Sequence, residues 1–171
     1  MGDSVERLSS EELARLGEIA RLDLTSVEQD EELQRIVQRA GKELDLPIGL
    51  VSIVLDGAQH FVARMGLGGW LEEANGTPGE WAFCLNAVET KRQFVVEDAR
   101  EHPVVKDNPL VHNDGVRCYA GSPLMTASGH ALGTLCVLGA EPRQFSEEDL
   151  AKLDAMAAEV VAYLESRVAA R

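Results

Sequence analysis

The chain has 171 residues, 45% of them hydrophobic, enough apolar material for one globular domain with a core of its own. Against 29 acidic residues stand 16 basic ones, a formal net charge of −13 with Lys91-Arg92 as the only adjacent basic pair, so phosphate backbones and anionic lipid are repelled and neither nucleic acid nor membrane is expected as a partner. Asp3, Glu6, Glu11 and Glu12 occupy the place of a basic, then apolar, leader, and no later run approaches the ~18 apolar residues of a membrane span, so a cytoplasmic location is expected.

Ser9-Ser10-Glu11-Glu12 has the pattern of a capping box, with Ser9 as cap and Glu12 placed to reach back, and Leu13, Leu16 and Ile19 then follow at helical spacing. A second apolar stripe, Leu33, Ile36, Val37, Ala40 and Leu44, stops where Pro47 restricts Leu46 and a strand over 48–55 takes over. Asp56-Gly57 is a turn dipeptide, and 59–64 reads as the return strand of a hairpin. Residues 66–80 hold five glycines and a proline without apolar periodicity, which predicts a loop of the kind that covers sites. A short helix over 81–88 and a short strand over 93–97 follow, then a polar excursion kept irregular by Pro103 and Pro109.

Residues 117–139 read as two apolar strands folded back through Ala127-Ser128-Gly129-His130. Ala120, Gly121, Ser122 and Gly133 are small, so one face of this hairpin is expected to border a cavity, which points to ligand binding. The chain closes with Phe145-Ser146-Glu147-Glu148-Asp149, acids suited to the positive end of a helix dipole, and Leu150, Leu153, Ala157, Val160 and Leu164 lie along one stripe behind them.

Cys84, Cys118 and Cys136 are odd in number, far apart and without a CxxC pair, which predicts reduced thiols rather than a disulfide framework or zinc knuckle. Cys136, flanked by Leu135 and Val137, reads as a small buried hydrophobe. His60, His102, His112 and His130 show no metal-ligand spacing, and Gly66-Leu67-Gly68-Gly69 lacks the Lys-Ser or Lys-Thr of a phosphate loop, so no metal is expected and no catalytic residue is assigned. The paired acids Glu31-Glu32 and Glu147-Glu148 sit at helix starts, where dipole compensation accounts for them.

Seven blocks in order resemble the GAF domain: 46–52, 61–67, 83–88, 95–99, 107–111, 117–124 and 129–137. The resemblance covers 25–165 and is strongest to bacterial GAF modules found near histidine kinases and diguanylate cyclases. It implies an α+β fold: an antiparallel sheet of five to six strands, N- and C-terminal helices on one face, and loops and short helices over a ligand pocket on the other. The implied organisation is an N-terminal helical extension over 1–24 and a GAF domain over 25–167 that ends in its C-terminal helix. Transferred position by position, the family's pocket is lined by Phe83, Cys84, Asp98, Asn108, Val116, Tyr119 and Gly121, with Arg117 as the nearest cation for an anionic ligand.

The function implied is a small-molecule-binding sensory module of signal transduction. The family's ligands include cyclic nucleotides, tetrapyrroles, haem, metal centres and metabolites, so the resemblance names no cofactor. The Cys-His neighbour of bilin-binding members is absent here. Two alternatives stand beside the sensor: a ligand-free homodimer or interaction module pairing through the terminal helices, and a thiol enzyme like the free methionine sulfoxide reductases of the family. For the latter, Cys84 sits near the first cysteine, but the pattern expected around Cys118 is missing. No output domain follows the last predicted helix, so the signal is expected to leave through a signalling partner or a longer parent chain.

Overall fold

In the computed structural model, residues 9–24, 30–55, 58–66, 76–78, 83–112 and 115–169 are described. Ser9 caps helix α1 (Ser10–Arg21), its Oγ accepting from Glu12 N at 3.0 Å. The Glu12 carboxylate does not reach back to complete a capping box; it pairs with Arg15 at 2.8 Å instead. Arg15 is buried and donates to the Ala131 carbonyl of a sheet strand, so this hydrogen bond ties α1 to the sheet. The α1 stripe is narrower than its spacing suggests, because Ile19 is buried while Leu13 is 57% exposed.

Helix α2 (Glu31–Leu44) buries the whole predicted stripe and ends at Asp45 in the left-handed conformation. Strand β1 (Ile48–Leu55) has the bounds its sequence predicts, and β2 (Ala58–Met65) pairs with it antiparallel. The Asp56-Gly57 turn lies outside the described residues. Within the predicted loop, Gly76–Pro78 forms a short strand, β3, because its backbone pairs with the edge of β2. Helix α3 (Cys84–Thr90), strand β4 (Phe94–Val96) and the single turn α4 (Pro109–His112) follow. Asn108 starts that turn inside the predicted irregular stretch by accepting from Leu110 N through Oδ1 at 2.9 Å. The hairpin is β5 (Cys118–Met125) and β6 (Ala131–Gly139), and α5 (Glu147–Ala169) closes the described chain.

The six strands form one antiparallel sheet in the order β3-β2-β1-β6-β5-β4. Alternation along the strands divides their side chains between two cores. Val51, Ile53, Ala120, Leu135 and Val137 pack under α1, α2 and α5, joined by Ile19, Leu22 and Leu24 from the N-terminal segment. Leu50, Phe61, Tyr119, Cys136 and Leu138 face the opposite layer of α3, α4 and loops. Leu153, Ala157, Val160 and Leu164 of α5 are buried against the protein's own sheet. Among the described residues no helix is long and apolar enough to cross a membrane.

Asp30 joins two of these helices. Its carboxylate accepts from Glu32 N and Leu33 N at the start of α2, and from Tyr163 Oη of α5 at 2.7 Å. Asp30→Ala removes the cap and that cross-link together, and is expected to cost about 2 kcal/mol in denaturant unfolding. Asp30→Asn, which still caps, should lose less than half of that.

Candidate functional site

The sheet face turned away from the three long helices carries small polar groups where its neighbours are apolar. Ser52 on β1 is directly opposite Thr134 on β6, and both are fully buried. Cys136 follows two residues on from Thr134 and therefore points to the same face; it lies opposite Gly121 of β5. Cys84, the first residue of α3, descends onto this surface from the covering layer. Its sulfur accepts from Thr134 Oγ1 at 2.9 Å and from Tyr119 Oη at 3.2 Å.

Gly121 makes that arrangement possible. Tyr119, two residues earlier on the same face, lays its ring along the strand over Gly121, where a Cβ would collide with the phenol. The ring packs against Phe83 with centroids 5.2 Å apart and against Phe94 at 5.9 Å. The room beside Gly121 is thus filled by an aromatic side chain, and that beside Gly133 by the backbone of β1, which overturns the expectation of a cavity beside these residues. Ala120 packs in the helix-side core and Ser122 accepts from Gln93 there, so neither contributes to this face.

The electrostatics follow from the donors around one sulfur. A hydrogen bond from Cys136 is the largest influence on Cys84; burial opposes it, and Thr134, Tyr119 and Ser52 add to it, holding the Cys84 thiol below its usual 9.0, at about 7. Burial pushes Tyr119 and Cys136 up, and the negative charge of a Cys84 thiolate beside them pushes in the same direction. The thiolate ultraviolet absorbance of the folded protein is therefore expected to titrate at about pH 7, and Cys84→Ser should remove that step.

Of the predicted site residues, Phe83, Cys84, Tyr119 and Gly121 come together, and Val116 joins the same apolar cluster. Asp98, Asn108 and Arg117 hold the covering loop. Arg117 Nη1 donates to the Val111 and Val116 carbonyls, and its own carbonyl accepts from Ala99 N. Asp98 pairs with Arg100, which holds its carboxyl below the usual range. Cys84 and Cys118 are not brought together: Cys118 packs beside Leu46 and Gly139 and lacks a thiol neighbour among the residues around it, burial raising its pKa. Ser52, Thr134 and Cys136 were not predicted as site residues, although a lone serine or threonine within an apolar strand was visible in the sequence. A surface groove of about 300 Å³ between the end of α3, β5 and α5, bordered by Arg92, Met125 and Asp154, includes none of the predicted site residues.

A family model described as the GAF domain matches residues 28–164. A cyclic di-GMP phosphodiesterase of Pseudomonas aeruginosa is 37% identical over 154 residues, which is 89% of this chain and 25% of that protein. The chain thus spans a quarter of the length of that relative. Among solved structures, the GAF domain of a phosphoenolpyruvate-protein phosphotransferase from Coxiella burnetii superposes with a TM-score of 0.69 at 21% identity, covering 93% of this chain and 95% of that one. A type II free methionine-R-sulfoxide reductase from Thermoplasma acidophilum gives 0.64 at 15% identity, covering 79% and 91%.

Proposed function

The chain belongs to the GAF family, and from that premise we propose that it is a regulatory module of signal transduction that binds a small molecule on the sheet face beneath α3. The observation that carries this reading is the polar group of Ser52, Thr134, Cys84 and Tyr119 buried within an otherwise apolar layer. A ligand enters when Tyr119 turns off Gly121. It then occupies the space of the ring, with Phe83 as an apolar wall and the hydroxyls of Thr134 and Ser52 as donors. The module's output is proposed to be a signalling enzyme in the same or a partner chain, as the relationship to a cyclic di-GMP phosphodiesterase suggests.

Native mass spectrometry of the purified protein, set beside its denatured mass, tests the reading. A retained mass that is lost on denaturation, and is absent from a Gly121→Val variant that stays folded, supports it. Retention unchanged in that variant places the ligand elsewhere.

A second reading, pairing of two copies through the terminal helices, is favoured by the outward side of α5. There Ala151, Ala155, Ala158 and Ala162 recur at helical spacing and are exposed. The same spectrum reports subunit number, and Ala158→Glu should shift a dimer to monomer.

A further inference from the structure

We propose that Cys84 and Cys136 are a reversible disulfide site, oxidised by small uncharged hydroperoxides, whose closure locks α3 to the central strand β6. The chain's three cysteines are all free and buried, yet they occupy two different surroundings. Cys84 and Cys136 belong to one packed cluster, one from the first turn of α3 and the other from the strand below it, where Thr134, two residues before Cys136, donates to the Cys84 sulfur at 2.9 Å. Cys118 has no such neighbour and is an internal control.

Two hydroxyl donors, Thr134 Oγ1 at 2.9 Å and Tyr119 Oη at 3.2 Å, converge on the Cys84 sulfur. A neutral thiol is a weak acceptor, whereas a thiolate satisfies several donors at once, so the surroundings suit the ionised form that attacks oxidants. A low thiol pKa agrees with this geometry. The apolar walls of Phe83 and Val88 exclude charged reagents, which is why the oxidant is a neutral hydroperoxide.

In the first step the Cys84 thiolate attacks one oxygen of hydrogen peroxide, the O–O bond breaks, and hydroxide leaves, taking up a proton to become water. Cys84 is then a sulfenic acid. In the second, the Cys136 sulfur attacks the Cys84 sulfur, the S–O bond breaks, and the hydroxyl departs as water with the Cys136 proton. Two thiols are oxidised and one peroxide is reduced. A dithiol reverses the link by exchange.

The test treats the folded protein with hydrogen peroxide, caps remaining thiols with an alkylating agent after denaturation, and measures intact mass. The expected product carries one cap, on Cys118, and its uncapped counterpart is about 2 Da lighter than the reduced chain. Dithiothreitol should return all three thiols to the capped form. Because no Lys or Arg separates Cys118 from Cys136, fragmentation within the tryptic peptide locates the link. Cys118→Ser should cross-link as the wild type does, and Cys136→Ser should gain oxygen without cross-linking. A wild-type link through Cys118, or oxygen added at Cys84 with no link, overturns the proposal, and neither result depends on any variant folding.

Discussion

Gly133→Val is expected to destabilise the fold severely. Gly133 lies opposite Ile53 at the seam between the two central strands, and a Cβ there would stand 2.8 Å from Ile53 Cα and closer still to the Ser52 carbonyl. The obstacle is backbone within a paired sheet, which cannot rotate aside as a side chain does. A cost of about 3 kcal/mol or more follows from overpacking at such a site, a large part of the whole stability of a typical domain. Far-ultraviolet circular dichroism and denaturant unfolding measure it. Gly17→Ala is the matched contrast: Gly17 lies within α1 with nothing near its Cβ position, and that change should stabilise by about 0.5–1 kcal/mol through helix propensity. Equal effects at the two positions would show that β1 and β6 can separate locally.

Tyr119→Ala is expected to cost about 3–5 kcal/mol, because it empties the space over Gly121 and leaves Phe83 and Phe94 without the ring they pack on. Tyr119→Phe isolates the hydroxyl. It retains the ring, costs about 1 kcal/mol, and raises the pKa of Cys84 because one donor to the thiolate is gone. Denaturant midpoints and the thiolate absorbance read the two effects separately. If Tyr119→Phe leaves the Cys84 titration unmoved, the phenol only fills space.

Much of this architecture was legible because apolar period and turn chemistry act locally. The stripe from Leu33 to Leu44, strand β1 and the β5–β6 hairpin follow from spacing alone. The exposure of Leu13 did not follow, since a helix of one apolar stripe does not state how much of it the sheet can cover. Strand β3 was hidden for a related reason: in Gly-Thr-Pro only Thr77 favours a strand while its Gly and Pro neighbours disfavour one, and it is the edge of β2 that recruits it. At the site, the sequence placed Phe83, Cys84, Tyr119 and Gly121 through the family pattern. It could not show that Tyr119 would lie over Gly121, a matter of one side-chain torsion. Nor could it show that Cys84 would meet Cys136 rather than Cys118, which depends on which face of β6 points toward α3.

The order of the strands also bears on how the chain acquires its structure in time. The β1–β2 and β5–β6 hairpins each form from adjacent residues, but the seam at the middle of the sheet pairs Ile48 with Leu138, across most of the chain. Closing so long a loop costs entropy before any of the seam's contacts repay it, so docking of the two hairpins is the slow event and the nascent chain holds β1 unpaired on one side until β6 has been made. During synthesis Val51 and Ile53 have α2, already made, to pack against, whereas Leu50 and Val54 face the opposite layer, whose helices come later in the chain.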